Sequence, residues 1–218
     1  MLTNCCPAAT TLPTIPSVGC AMRFGQIQKI IFQRIYKTAG TLNSITGVTT
    51  GSATTGDATL LASWTALKAK TDGEKISVTP YVEEPTSDGG DARTVGGGNA
   101  SLNGIETVIG SNPVSFSCKL NNVPQAIVAE LKKLMCECVA NNLGVYLINE
   151  NGQIQGQVIA TATGSKTWAP IPIQKLFISD MKHGGLEGND SNDVQFSFAP
   201  GYSDKLDVLT LDASALSL

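Results

Sequence analysis

The fold of this chain is decided by the stretch "SFSCKLNNVPQAIVAELKKLMCECVANNLGVYLINENGQIQG", Ser115–Gly156, in which three periodicities follow one another. Its first residues alternate in polarity. Together with the preceding Val114, Phe116 and Cys118 face one way, and the residues between them are polar. An alternation of period two predicts a strand with one buried face.

The second part of the stretch predicts an amphipathic helix over Pro124–Asn141. A proline in the first turn and asparagines at the end are typical of helix boundaries. Apolar residues recur at helical spacing and form one stripe: Ile127, Val128, Leu131, Leu134, Met135, Cys138 and Val139. We expect this stripe to pack on a sheet.

The third part predicts a β-hairpin over Leu143–Thr161. Two runs rich in β-branched residues flank "ENGQ", and Asn151-Gly152 is a pair that favours a tight turn. Strand, helix and hairpin in this order set the expectation for the rest of the chain.

On the N-terminal side, Met22–Tyr36 predicts a long strand, and the Thr/Gly/Ser-rich segment Thr38–Asp57 predicts a loop. Asp57 is predicted to cap a short helix whose apolar residues fall at helical spacing. These residues are Leu60, Leu61, Trp64 and Leu67. Glu74–Glu84 alternates as a half-buried strand does, and Pro80 places it at a sheet edge. Glu84–Gly98 is polar and glycine-rich, and is predicted to be a loop.

On the C-terminal side, Trp168–Asp180 predicts an edge or bulged strand, and Lys182–Asp193 a polar loop. One or two further strands follow, with a corner at Ala199-Pro200-Gly201. The predicted fold class is therefore α+β but mainly β. We expect an antiparallel sandwich or barrel with one packed amphipathic helix and long loops. Residues 1–21 are predicted to be an extended arm, and residues 22–218 a single domain.

The amino-acid composition argues against some classes of function. The net charge is −3, so no basic surface for nucleic-acid binding is indicated. Only 15% of residues are charged, against about 25% in ordinary soluble domains. A low charge with many Gly, Thr, Ser and Asn residues indicates surfaces that other subunits cover or that carry long polar loops. We predict no membrane span and no secretory signal in "MLTNCCPAATTLP", hence a chain kept in the cytosol until assembly.

The glycine run in "VGGGNASLNGIETVIG", from Val95, raises the question of a phosphate-binding loop. Such a loop needs a helix directly after it, and the Walker pattern also needs a Gly-Lys-Ser/Thr ending. Neither is present, and the residues that follow alternate as a strand does. The run therefore predicts a flexible hairpin or insertion loop.

Candidate catalytic and metal-binding residues are few. The chain has one histidine, His183, in a glycine-flanked loop that predicts exposure, and it lacks a G-x-S-x-G nucleophile elbow. "EGNDSND", Glu187–Asp193, is the nearest approach to a calcium loop but lacks its spacing. We expect a solvated loop there, no cofactor, and packing roles for Trp64 and Trp168.

The six cysteines show no paired zinc-site spacing. They are Cys5, Cys6, Cys20, Cys118, Cys136 and Cys138. The simplest interpretation is small buried thiols. A disulfide among Cys5, Cys6 and Cys20 and a metal site are the alternatives.

The strand–helix–hairpin stretch Ser115–Gly156, with the closing "VQFSFAPGYSDKLDVL", resembles the tail tube proteins of long-tailed bacteriophages and related injection machines. The resemblance is one of organisation and covers about half the chain. The cysteine-containing arm and the long Thr38–Asp57 segment depart from it. These departures leave other virion roles open.

This resemblance implies a non-enzymatic virion protein that is assembled in the host bacterial cytoplasm. Its subunits would form hexameric rings, and the stacked rings would form a tube through which DNA passes without specific binding. The implied partners are copies of itself and other tail proteins, with no membrane and no small-molecule substrate. Candidate stacking elements are Met1–Ala21, Thr38–Gly56 and Glu84–Gly98. The residues we single out in them are Cys5, Cys6, Cys20, Thr49, Thr50, Gly51, Gly89, Gly90, Gly96, Gly97 and Gly98.

Three alternatives stay open at this point. The first is another virion role, as a baseplate, connector or head decoration protein. A cell-surface adhesive module would need an export signal. An enzyme would need a catalytic constellation that the sequence does not present.

Overall fold

The computed structural model describes residues 24–100, 102–186 and 188–218. Within them the chain is mainly β, with two helices and a curled antiparallel sheet that forms a half-barrel. The predicted fold class is therefore confirmed. The division into an arm, 1–21, and a domain, 22–218, stays a prediction, because the arm lies outside the described residues.

The strands of the described residues follow the chain in this order: β1 (Ile27–Arg34), β2 (Tyr36–Thr38), β3 (Thr41–Leu42), β4 (Ile45–Val48), β5 (Ile76–Val78), β6 (Glu83–Ser87), β7 (Ala92–Gly96), β8 (Glu106–Ser111), β9 (Val114–Asn121), β10 (Leu143–Asn149), β11 (Ile154–Ala162), β12 (Ser165–Ala169), β13 (Ile171–Ile178), β14 (Ser191–Phe198) and β15 (Leu206–Leu209). The helices are α1 (Leu61–Ala69) and α2 (Gln125–Val139).

Eleven strands form the main sheet, in the order β4-β12-β11-β10-β13-β14-β9-β6, with β1, β5 and β15 off this path. β10 is its hub. It pairs along its whole length with β1, and it pairs with β11 through Leu147 and Ile148 and with β13 through Gly144 and Val145. All seven residues of β10 are buried.

The alternation of β10 divides the interior into two cores. Val145 and Leu147 lie in the core that α2 covers, whereas Tyr146 and Ile148 lie in the core that α1 covers. Because successive side chains of a strand point to opposite faces, one buried strand serves both cores. The sheet is therefore covered by a helix on each face.

Aromatic residues fill both cores. On the α2 side, the rings of Phe116 and Phe196 stack with centroids 4.7 Å apart. On the α1 side, Trp64 meets Tyr146 edge to face at 5.0 Å, and Trp168 is buried nearby. Trp64 and Trp168 are thus packing residues, as predicted, although Trp168 lies near the end of β12 and does not begin a strand.

The three predictions from Ser115–Gly156 are confirmed. β9 buries alternate residues from Val114 on, α2 forms, and β10 and β11 make the hairpin. The prediction of a buried apolar stripe on this helix is wrong for two residues. Ile127 and Val139 are 41% and 84% exposed, because they lie near the ends of α2, beyond the apolar surface that its middle covers.

The loop predicted over Thr38–Asp57 is partly wrong. It contains β3 and β4, and β4 pairs with β12 in the main sheet. Asp57 also does not cap α1, which begins after Leu60 without a side-chain cap. Its carboxylate binds Thr59 and Val48 instead, and Asp212 accepts the hydrogen bond from the main-chain N–H of Leu61.

The polar segment Glu84–Gly98 is also not simply a loop, because β6 and β7 lie in it. The strand predicted over Glu74–Glu84 shrinks to β5, which pairs only with β1 among the described strands and is thus an edge strand as expected. The strand predicted over Met22–Tyr36 is observed as the shorter β1, Tyr36 belongs to β2, and the first two predicted residues lie outside the described residues.

The predicted bulge in Trp168–Asp180 is present in β13, where the register shifts between Gln174 and Phe177 and Lys175 has a positive φ of 56°. β13 is not an edge strand, since it pairs with both β10 and β14. The corner after β14 is confirmed at Gly201, which has a φ of 77°.

Candidate self-assembly surface

Like the shorter pair of β2 and β3, the hairpin of β7 and β8 is almost wholly exposed. It forms a two-stranded sheet of its own, and no third strand joins it within the residues that the structure describes. Every residue of β7 and all of β8 except Gly110 are exposed. Within the described residues, the hairpin therefore has no strand paired with either of its outer edges, and side chains on both of its faces are exposed.

The hairpin carries exposed apolar side chains. Val95 is 56% exposed, Val108 60% and Ile109 49%. Val95 lies opposite Thr107, and Val108 lies opposite Thr94. Because neighbouring residues of a strand face opposite sides, apolar side chains emerge on both faces of the hairpin. The strand pairing shifts between Arg93 and Thr94, which gives the hairpin a bulge.

The predicted glycine candidates lie at the two ends of β7. Gly89 and Gly90 connect β6 to β7, and Gly90 has a φ of 71°. At the other end Gly96, Gly97 and Gly98 all have positive φ values, of 91°, 92° and 50°. This backbone region favours glycine, so the three residues allow the chain to reverse at the tip. The glycine run thus belongs to a hairpin, as predicted.

Two short 3₁₀ turns, Gly98–Ala100 and Leu102–Gly104, follow the glycines before β8 begins. Sequence reasoning missed these turns and expected a strand directly. No α-helix starts within the described residues between the glycine run and β9. The arrangement differs from a phosphate loop, which needs a helix N-terminus after its glycines.

The second group of candidates, Thr49, Thr50 and Gly51, follows β4. The main-chain N–H groups of Thr49 and Thr50 donate to the carbonyl oxygen of Gly164, at 2.8 and 3.4 Å. These contacts tie the start of the segment to the β11–β12 turn. β4 and β6 are the first and last strands in the order of the main sheet. Thr49, Thr50 and Gly51 follow β4, whereas the hairpin glycines follow β6, so the two groups of candidates are attached to opposite ends of that order.

The third group, Cys5, Cys6 and Cys20, lies outside the described residues. Of the other cysteines, Cys118 and Cys138 are buried, as predicted, whereas Cys136 is exposed. Burial, together with the nearby Asp193 carboxylate, raises the pKa of Cys118 to about 12. A thiol with so high a pKa stays protonated and unreactive at neutral pH.

The edge strands of the main sheet differ in whether their outer main-chain groups can pair with a strand of another chain. The outer edge of β4 is already bound by the chain itself: Ala58 donates to the Thr46 carbonyl at 2.9 Å, and Val48 donates to the Asp57 carboxylate. β6 contains Pro85, which lacks a donor, and a bulge. Sequence reasoning did not foresee that the chain covers the β4 edge.

The candidate catalytic residues do not assemble into a site. His183 is exposed, as predicted, and its Nδ1 lies 3.4 Å from the Asp190 carboxylate. Asp193 pairs with Lys182, and Asp88 accepts a hydrogen bond from the main-chain N–H of Ser115. In the part of the chain that the structure describes, no group of three His, Cys, Asp or Glu residues is placed to hold a metal ion.

Comparison of the sequence with known protein families and with curated proteins finds no match. Among the residues described, no helix is long and apolar enough to cross a membrane.

Proposed function

We propose that this protein is a structural virion subunit of a bacteriophage tail. Copies of it assemble into stacked rings, of six subunits by the resemblance, and the rings form the tube through which DNA passes. The observation that carries the proposal is the β7–β8 hairpin, which leaves its apolar residues exposed on both faces.

An isolated two-stranded sheet is marginally stable in water. The hairpin gains little from its own domain, since nine-tenths of its strand residues are exposed. Burial of Val95, Val108 and Ile109 on a neighbour would release apolar surface from water and order the hairpin at the same time. A neighbouring subunit is therefore the partner that this element needs.

Unpaired strand edges support the same conclusion. In the part of the chain that the structure describes, the outer edges of β7 and β8 have no strand partner, and such edges pair readily with a strand of another chain. β15 likewise pairs on one side only, with β11, among the described strands. Edges of this kind let sheets continue from one subunit to the next.

The charge of the chain is compatible with a DNA passage. The net charge is −3, and many of the lysines are paired with carboxylates, for example Lys166 with Asp207 and Lys182 with Asp193. A weakly acidic wall repels the phosphate backbone, so DNA slides past it and does not bind.

The test is electron microscopy of the concentrated, purified protein in negative stain. The proposal predicts tubes or stacked rings about 100 Å across, the size of six such domains around a channel. Single rings that do not stack would favour a baseplate or connector role. A protein that stays monomeric at high concentration would contradict self-assembly.

A further inference from the structure

The β7–β8 hairpin is an arm that extends from the paired strands β6 and β9 of the main sheet. Ser87, the last residue of β6, pairs with Phe116, and Ala92, the first residue of β7, pairs with Ser111. Ala92 lies five residues after Ser87, and Ser111 lies five residues before Phe116, so neither side contains an extra residue. The arm is therefore joined to the main sheet by two short connections that lie opposite each other.

The joint between this arm and the main sheet consists of residues 88–91 and 112–113. Gly89 and Gly90 lie on one side of the joint, and Pro113 lies on the other. Proline has no N–H to donate to a ladder, and the φ of Gly90, 71°, is not that of a strand. Consequently none of the strands that the structure describes runs through the joint.

The hydrogen bonds at the joint break the regular alternation of a ladder. On the sheet side, the main-chain N–H of Asp88 donates to the carbonyl oxygen of Ser115 at 3.2 Å. On the arm side, the N–H of Asn112 donates to the carbonyl oxygen of Asp91 at 2.8 Å. In a regular antiparallel ladder every second residue of a strand bonds to its partner, whereas Asp88 and Asp91 are three residues apart. The arm and the main sheet therefore do not share one continuous ladder.

The side chain of Asp88 fastens the sheet side of the joint. Its Oδ1 accepts the main-chain N–H of Ser115 at 2.8 Å, a hydrogen bond that the carbonyl oxygen of Asp88 would accept in a regular ladder. The main chain can therefore leave the ladder directly after Asp88. A Cβ atom at Gly90 would lie 3.1 Å from the carbonyl oxygen of Asn112, whereas one at Gly89 would meet nothing within 4 Å. The space around Gly89 allows the chain to change direction there.

We propose that this joint is a hinge, about which the β7–β8 hairpin changes its direction relative to the main sheet. Hinges are short segments at the ends of elements that absorb large changes in φ and ψ, and two adjacent glycines widen the range of both angles. The strands of the hairpin are exposed, so they bury little surface that would hold the arm in one direction. A neighbouring subunit would fix the direction on assembly, and this second part rests on the proposed function.

The test measures distances between two nitroxide spin labels by pulsed electron paramagnetic resonance, in the full chain diluted below the concentration of assembly. The labels are attached to ketone-bearing amino acids that replace the exposed Thr107 in the arm and Ala129 on α2, so the native cysteines stay unmodified. Thr107 lies ~17 Å from Asn112 at about 3.4 Å per residue, so a swing of ~30° displaces it by ~9 Å. We expect a distance distribution at least about twice as wide as that of a reference pair at Ala129 and the exposed Asp204. Equal widths would overturn the hinge.

Matched substitutions at the joint show where the motion takes place. Gly89→Val places a β-branched side chain in open space and is expected to narrow the distribution between positions 107 and 129 toward that of the reference pair. Asp88→Ala removes the side-chain acceptor for Ser115 and is expected to widen it, whereas Asp91→Ala keeps the main-chain bond to Asn112 and is expected to leave it unchanged. An unchanged width in Gly89→Val, or equal effects of the two aspartate substitutions, would contradict a hinge at this joint.

The same measurement after assembly separates the hinge from the proposed function. Labelled protein is mixed with an excess of unlabelled protein before it is concentrated, so that the distances are those within one chain. We expect the distribution to narrow at least about twofold, because a neighbouring subunit fixes the direction of the arm. Assembled protein with an unchanged width would overturn the second part of the inference. Protein that never assembles would contradict the proposed function, whereas the widths in the dilute protein decide the hinge by themselves.

Discussion

The carboxylate of Asp57 accepts a hydrogen bond from the main-chain N–H of Val48, with 3.0 Å between Oδ2 and the nitrogen. Its other oxygen accepts from the N–H and the hydroxyl of Thr59, at 2.8 and 2.7 Å. One side chain thus closes the outer edge of β4 and holds the turn that leads into α1. The edge of β4 is consequently unavailable for pairing with another subunit.

Replacement of Asp57 should destabilise the domain. Asp57→Ala removes the acceptor for three hydrogen bonds, and we expect the free energy of unfolding to fall by about 1–3 kcal/mol at neutral pH. Asp57→Asn keeps the shape but turns one acceptor into a donor, so it should lose most of the same stability. Urea titrations followed by tryptophan fluorescence measure the difference, with exposed Asp204→Asn as the control.

The stabilising effect of Asp57 should vanish in acid. Burial raises the pKa of this carboxyl group, but the hydrogen bonds from Thr59 and Val48 outweigh burial and hold the pKa below its ordinary value. A depressed pKa in the folded state gives a contribution that is complete above the ordinary value of about 3.9 and is lost as the pH falls through the folded-state value. The gap between the wild type and Asp57→Asn should therefore narrow below about pH 4. A gap that widens in acid would refute this assignment.

Two glycines with similar backbones but different surroundings give a second prediction. Gly152, in the β10–β11 turn, has a φ of 73°, and a Cβ atom there would come within 2.1 Å of Ser214 Oγ. Gly40 has a φ of 77° and nothing within 4 Å. Gly40→Ala should cost about 1 kcal/mol through backbone strain alone. Gly152→Ala should cost a further ~1–3 kcal/mol through overpacking.

Thermal or urea unfolding of the two variants tests this difference. Equal losses of stability would mean that Ser214 and the C-terminal segment move aside without cost. Gly152→Ala combined with Ser214→Gly is the matched rescue, and we expect it to recover most of the overpacking part.

The reactivity of the cysteines gives a third prediction. Cys136 is exposed, whereas Cys118 is buried and its pKa is raised to about 12. At pH 8 about one Cys118 thiol in 10⁴ is ionised, so alkylation by iodoacetamide should be at least ~100-fold slower at Cys118 than at Cys136. Peptide-resolved mass spectrometry reads both sites in one sample, and the two rates should converge in concentrated urea. Similar rates in the native protein would contradict the described core.

The sequence predicted an element correctly where the residues of that element alone determine its structure. The alternation around Phe116 and the Asn151-Gly152 pair each specify an element without reference to the rest of the chain. The same holds for the middle of α2. At its ends Val139 keeps the helical spacing but lies beyond the sheet, because periodicity fixes the helix face and not the extent of the surface that covers it.

The missed elements depend on distant partners. β4 lies in a Thr/Gly/Ser segment and becomes a strand because it pairs with β12, about 120 residues later in the chain. β6 contains Pro85 and pairs with β9 around a bulge. Asp57 is a residue type that favours helix N-caps, but its carboxylate accepts a hydrogen bond from the edge strand β4. The glycine candidates of the hairpin were found from composition, whereas the exposed Val108 and Ile109 were expected simply to be part of a strand.

The hairpin gives the fourth prediction. Val108→Asp should leave the stability of the dilute protein within about 0.5 kcal/mol, because position 108 is 60% exposed. It should raise the concentration needed for assembly at least tenfold, since burying an unpaired carboxylate costs several kcal/mol and ~1.4 kcal/mol is a factor of ten. Val139→Asp, at an 84% exposed position on α2, is the control and should assemble as the wild type does. Light scattering against concentration measures both.

Hydrogen–deuterium exchange of residues 92–111 in dilute and in concentrated protein tests self-assembly through the hairpin most directly. The outer amides of β7 and β8 have no strand partner in the part of the chain that is described, so they should exchange rapidly in the dilute protein. We predict that their exchange slows at least tenfold when the protein assembles, while that of buried β10 is unchanged. Assembly without added protection of residues 92–111, or protection already complete in the dilute monomer, would contradict the account.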